Sequence, residues 1–148
     1  MHIVPLDGAD TRFLGGSARS RHARLAARVG ASFTTLDELD ANDTSTVVLV
    51  PSASALMRPF FQDPAFLDAA RLDAATRLES TTGAFVVVGP AQRVAPLATQ
   101  LGAVSALPRR ALGPGTLLNI GTSSDRRHAT AAALRATQKA TDGWVSRT

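Results

Sequence analysis

Apolar positions along this chain follow two rhythms. Four short stretches are almost continuously apolar: MHIVPL at 1–6, TVVLVP at 46–51, GAFVVVGP at 83–90 and a segment around TLLNIG at 116–121. Short apolar runs rich in β-branched residues and ended by proline or glycine predict strands buried on both faces. ASFT at 31–34 is a further short strand candidate, and LDELDAND at 36–43 an acidic loop or single turn.

Between these runs the apolar residues recur at helical spacing. Ser17 opens SARSRHARLAARV, which Gly30 closes as a helix stop. Ala18, Leu25, Ala26 and Val29 can face inward there, while Arg21, Arg24 and Arg28 share another face. PFFQDPAFLDAARLDAA at 59–75 reads as helical, with Asp63-Pro64 placing proline in a first turn and Phe66, Leu67, Ala70 and Ala74 on the apolar side. AQRVAPLATQLG reads as a helix stopped at Gly102. A last helix begins near Asp125, capped by Ser123 or Ser124, and its alanine-rich sequence carries it to about Lys139. After Thr141, Gly143 and a scarcity of apolar partners predict loose order. Alternating strands and helices of this kind predict a three-layer α/β domain around a mostly parallel sheet.

Composition narrows the class. At 148 residues the chain is the size of one domain. No apolar run approaches the roughly 20 residues that span a bilayer, and the start MHIVPLDG predicts no signal peptide. Cysteine is absent, which removes disulfides, thiolate nucleophiles and cysteine metal sites and is compatible with a cytosolic location. The net charge of +4 rests on 15 arginines and a single lysine, Lys139. No aromatic residues are interleaved with basic ones and no zinc-finger spacing occurs, so nucleic acid is not an expected partner.

The chemistry of the opening loop is contradictory. PLDGADTRF at 5–13 follows a strand and offers Gly8, Thr11 and Arg12, as phosphate-cradling loops do. Asp7 and Asp10 place negative charge where a phosphate would sit. Arg12 either contacts a phosphate or tethers the loop.

These segments, in order, resemble the sugar-phosphate nucleotidyltransferase family. Leu6-Asp7-Gly8-Ala9-Asp10-Thr11-Arg12 is similar to that family's Leu-Ala-Ala-Gly-x-Gly-Thr-Arg, and Gly15-Gly16, Arg21 and Val29-Gly30-Ala31 to its next segment. The resemblance implies a Rossmann-like fold, and it also marks what is lost. Asp10 replaces the second glycine, and the family's Pro-Lys pair is missing. Its two Mg²⁺-holding carboxylate positions fall on Ala53, in Ser52-Ala53-Ser54, and on Gly121, in Asn119-Ile120-Gly121-Thr122-Ser123-Ser124-Asp125. A Mg²⁺ site with substrate phosphates needs one or two protein carboxylates. No catalytic residue and no metal ligand is therefore expected, and Mg²⁺ and CTP would be cofactors only of an active enzyme.

LRATQKATDGWVSR at 134–147 resembles the linker of CDP-alcohol phosphotransferases that carry an N-terminal nucleotidyltransferase-like domain; the match covers Lys139, Thr141, Asp142, Gly143, Val145, Ser146 and Arg147. The resemblance implies a domain over 1–140 and a linker over 141–148 leading to a membrane-embedded phosphotransferase domain of the same parent chain. The domain would then lie on the cytoplasmic side of the membrane, soluble as this fragment, whether excised or a short gene product. Lys139, Trp144 and Arg147 would be membrane-proximal, with packing of Trp144 on the domain an equal alternative. Asp142-Gly143 only superficially matches the start of the phosphotransferase signature, because the later carboxylates are absent. Arg21, Arg24 and Arg28 face either anionic headgroups, the partner domain or plain solvent. His2, His22 and His128 have no carboxylates at readable spacing, and Ser52 and Ser54 lack a nucleophile-elbow pattern.

Three functions remain: an inactive nucleotidyltransferase-like domain supporting a membrane enzyme of phospholipid synthesis, an active cytidylyltransferase making a CDP-alcohol, or a stand-alone Rossmann-like binding module. A homodimer is compatible with each.

Overall fold

The structure is a computed structural model that describes all residues except 8–9, 15, 41 and 146–148, and the side chains of all described residues except 101 and 136–145. The main sheet has six strands: β1 (His2–Pro5), β4 (Ser32–Phe33), β5 (Thr46–Val50), β7 (Thr76–Glu79), β8 (Phe85–Pro90) and β9 (Arg109–Ala111). Their order is β4-β1-β5-β8-β7-β9, and β8 alone runs against the others. The sheet is thus mainly parallel, as expected. Two small antiparallel pairs lie outside it: β2 (Arg12–Phe13) with β3 (Gly16–Ser17), and β6 (Ser54–Leu56) with β10 (Leu117–Asn119).

The continuous apolar runs are explained by a core on each face of the sheet. In β5, Val48 and Val50 pack with Ile3, Phe60, Phe66 and Val88 on one face. Val47 and Leu49 pack with Val4, Val87, Ala91 and Val94 on the other. Helix α1 (Ala18–Val29) and the region of α2 (Pro64–Ala69) cover the first face; α3 (Ala91–Val94) and α4 (Leu101–Val104) cover the second. A third cluster sets α5 (Ser123–Val145) against β6, β10 and Phe13. This is a three-layer, Rossmann-like α/β domain.

Local signals hold where the expected caps form. Ser17 accepts from Ser20 N–H at the start of α1, and Gly30 ends the helix at φ 73°, a left-handed conformation that favours glycine. Asp63 caps α2 by accepting from Ala65 N–H, with Pro64 in the first turn.

Several expectations are corrected. The run 59–75 is not one helix: a 3-10 turn (Arg58–Gln62) and the six-residue α2 end before strand β7, and Leu67 is 43% exposed. The alternating burial of Thr76-Arg77-Leu78-Glu79 marks β7 as a strand. Gly102 does not stop a helix but lies within α4, after a 3-10 stretch (Ala95–Thr99) that Pro96 initiates. Strand β10 pairs with β6 instead of joining the main sheet. The last helix is capped by Thr122, whose hydroxyl accepts from Asp125 N–H at 3.0 Å, one residue before the predicted serines. It then continues through Gly143 to Val145, because alanine-rich propensity outlasts one glycine costing about 1 kcal/mol. No helix among the described residues is long and apolar enough to cross a membrane.

Gly89, in the middle of β8, is required by space. A Cβ there would meet Ala74 O at 2.9 Å, Ala75 Cα at 3.0 Å and Val94 Cγ2 at 3.1 Å. Gly89→Ala is expected to cost about 1–3 kcal/mol through overpacking, read as a lower urea midpoint with unchanged m-value.

Candidate functional site

The chain leaves β1 through α1 to β4 on one side of it, and then returns to β5 on the other side. In open α/β sheets ligands bind in the crevice at such a reversal, outside the carboxyl ends of the strands. Here that crevice lies beyond Pro5 and Val50, where Leu6 N–H donates to Val50 O at 2.8 Å. Asp7, Asp10 and Thr11 of the opening loop fill it.

Asp10 is the centre of that filling. Its carboxylate accepts from Thr11 N–H at 2.9 Å, from Arg19 N–H at 3.2 Å and from the Ser17 hydroxyl. Arg19 N–H belongs to the first turn of α1, which would otherwise present free donors to an anion. The Ser17 hydroxyl bond, followed by the Arg19 and Thr11 N–H bonds and the Arg19 charge, outweighs partial desolvation and holds the Asp10 pKa below the ordinary carboxylate value. Arg19 also clamps the loop by donating to Asp7 O at 2.7 Å, and Ser52 Oγ donates to Asp7 Oδ2 at 3.3 Å. The cavity left among Pro5, Asp10, Arg19, His22 and Ser52 is about 10 Å³. That is room for at most one water.

The residues singled out from sequence are distributed unevenly. Gly8 lies outside the described residues. Thr11 turns its hydroxyl to Ser52 O at 2.9 Å and so ties the loop to the end of β5. Arg12 leaves the crevice along β2 and lines a separate open groove of about 640 Å³ with Arg126, Arg127 and Phe13. In that groove Arg126 is already committed to Ile120 O at 3.2 Å and Ser123 Oγ at 3.1 Å. Lys139 and Trp144 lie on α5 with side chains outside the described residues, and Arg147 is outside them altogether.

Ala53 and Gly121, distant in sequence, are brought together. Ile120 N–H donates to Ala53 O at 2.7 Å, and a Cβ on Gly121 would stand 3.2 Å from the Ala53 Cβ and 3.3 Å from Asn119 Oδ1. Asn119 Oδ1 itself accepts from Gly121 N–H at 3.0 Å. The two positions that the resemblance assigns to metal carboxylates are thus neighbours, and they carry a methyl group and a hydrogen. This donor set does not fit Mg²⁺, which takes carboxylate oxygens. Among the described residues no group of three or more His, Cys, Asp or Glu side chains converges.

Two histidines have partners that sequence spacing did not show. His2 Nε2 lies 3.1 Å from Asp43 Oδ2, a carboxylate 41 positions away. His22 is buried, and its Nε2 accepts from Leu56 N–H at 3.0 Å. Ser54 is buried and donates to Phe85 O at 2.9 Å. The His22 and Ser54 bonds join α1 to β6 and β6 to β8, and His2 ties β1 to the segment before β5.

No protein-family model matches the chain, and no curated protein matches it. Among solved structures it is similar to one titled "Putative Glucose-1-Phosphate Thymidylyltransferase from Bacillus anthracis in Complex with a Sucrose", at 9% identity and a TM-score of 0.39, over 77% of this chain and 71% of that one.

Proposed function

We propose that this chain is a nucleotidyltransferase-like domain that no longer transfers a nucleotide. In the intact protein it supports a membrane-embedded CDP-alcohol phosphotransferase domain of phospholipid synthesis, from the cytoplasmic side. The single observation carrying the first statement is Asp10. Its carboxylate takes the donors of the opening loop and of the first turn of α1, which a nucleotide phosphate would need. The second statement rests on the sequence resemblance over 134–147, which also makes the membrane surface a further partner; a homodimer is compatible with it.

In this reading each residue at the crevice maintains closure. Asp10 neutralises the donors, Arg19 holds the Asp7 carbonyl, and Thr11 locks the loop onto Ser52. Neither Mg²⁺ nor CTP is required, because Ala53 and Gly121 offer no carboxylate.

Calorimetric titration of CTP, with and without Mg²⁺, tests the reading on the full chain. The parent is expected to show no saturable CTP binding and no pyrophosphate release with any sugar- or inositol-phosphate. Asp10→Gly frees the donors of Thr11, Ser17 and Arg19; it is expected to gain measurable CTP affinity while losing about 1 kcal/mol of stability through the lost hydrogen bonds. Pyrophosphate release should remain absent in both. Mg²⁺-dependent turnover by the parent would overturn the proposal and favour the active cytidylyltransferase. Unchanged affinity in Asp10→Gly would show that the loop is closed by shape and not by charge.

A further inference from the structure

Away from the crevice, α1 and the 3-10 turn at Arg58–Gln62 enclose a cleft of about 350 Å³. Arg21, Arg24 and Arg28 line it from α1, and Arg58 closes it from the facing turn, over a floor that includes Leu25 and Met57. The helical spacing of the first three is visible in the sequence. The fourth arrives only through the tertiary fold.

Four guanidinium groups around one cleft repel each other unless an anion intervenes. Among the described residues none of the four is within ion-pair distance of a carboxylate; the ion pairs there involve His2, Arg77, Arg93, Arg109 and Arg110. Arg21 is drawn partly out of water, with its guanidinium 5.2 Å above the Phe13 ring. Its pKa is lowered, first by desolvation and then by the charges of Arg24 and Arg28. All four line one cavity of about 350 Å³, within the size range of small-ligand sites.

We propose that this cleft is a binding site for a phosphate-bearing ligand carrying at least two negative charges. Guanidinium groups pair with phosphate oxygens in a bidentate manner, and several converging forks recognise a phosphomonoester or diphosphate better than a single charge does. The apolar floor takes the carbon portion next to the phosphate. The same chemistry is offered by a soluble phosphate ester and by an anionic lipid headgroup. No residue of the opening loop lines the cleft, although Phe13 lies under Arg21, and Asp10 has no part in it.

The test uses the full chain with three probes: inorganic pyrophosphate, inorganic phosphate, and vesicles of phosphatidylserine in phosphatidylcholine against phosphatidylcholine alone. Calorimetry reads the first two and cosedimentation the third. Arg24 and Arg28 are exposed, so the double variant Arg24→Gln/Arg28→Gln keeps the fold; Arg71→Gln, an exposed arginine outside the cleft, is the control. Expected is saturable binding of pyrophosphate or of phosphatidylserine vesicles, weakened at least tenfold in the double variant and unchanged in the control. Arg24→Lys, which keeps charge but loses the fork, should fall between them. Pyrophosphate binding assigns a soluble ester, and binding confined to vesicles assigns a headgroup. The proposal is overturned if neither pyrophosphate nor phosphatidylserine vesicles bind the parent, or if the double variant binds as the parent does.

Discussion

Acidification from pH 7 to pH 4 is expected to remove up to about 3 kcal/mol of stability at one side chain, His22. The imidazole is 6% exposed, and its Nε2 must stay unprotonated to accept from Leu56 N–H. Burial first, and then the charge of Arg21, lower its pKa from 6.5 to about 4, opposed only weakly by the Asp10 carboxylate. In the unfolded chain the same group takes up its proton near 6.5. Between these two values the unfolded state binds more protons than the native state, so stability rises with pH. The contribution is therefore complete above about pH 6.5 and is lost as pH falls towards 4. A shift of roughly 2.5 units at about 1.4 kcal/mol each is about 3.5 kcal/mol in full, of which about 3 is lost by pH 4, where the native imidazole is half protonated. His22→Gln keeps an acceptor in a similar place without titrating. Urea midpoints measured from pH 7.5 to 4 should fall more steeply for the parent than for this variant. Parallel curves would show that His22 is not the titrating group. Asp43, which Ser45 N–H holds down to about 2, titrates below this window.

Truncation of Phe60 should have an effect at least as large. Its ring is fully buried beneath the sheet, 4.8 Å from Phe66 and 5.1 Å from Phe61, the latter edge-on. It belongs to the same core as Ile3, Val48 and Val88, so it joins the 3-10 turn to three central strands. Phe60→Ala removes the transfer energy of the ring and leaves a cavity that the β-branched strand residues are too stiff to fill. A loss of about 3–5 kcal/mol is expected, enough to consume a large part of the stability of a domain this size. Phe60→Leu, which leaves a smaller cavity, should cost less than Phe60→Ala. Chemical denaturation of the two variants measures both. A loss near zero in Phe60→Ala would mean that the 3-10 turn does not dock as described.

Both residues illustrate how far the chain could be read before its fold was seen. Strands β1, β5 and β8 are legible because each faces a core on both sides, and that demand writes an unbroken apolar run. Helix α1 is legible from both ends, since a serine cap and a left-handed glycine act within one turn. Strands β7 and β9 escape the pattern because they lie towards one edge of the sheet. There, arginines are tolerated: Arg77 and Arg109 share Glu79, at 2.6 and 3.4 Å, and Arg77 stacks 3.9 Å over Phe85. A charged edge has no hydrophobic signature. Without β7, the hairpin that reverses β8 cannot be inferred, and an all-parallel order looks equally good.

The candidate sites divide along the same line. The composition of the opening loop, with Asp10 among Gly8, Thr11 and Arg12, is plain in the sequence, and so is the arginine stripe on α1. The bonds of Asp10 to Ser17 and Arg19 are local, but that Arg12 turns away, that Ala53 meets Gly121, and that Arg58 completes the cleft all depend on long-range packing. Periodicity records whether a residue is buried, because each side chain meets water or core through its own local geometry. It does not record which element supplies the neighbour. That choice is made by contacts between segments far apart in the chain, and the chemistry of this protein sits at those contacts.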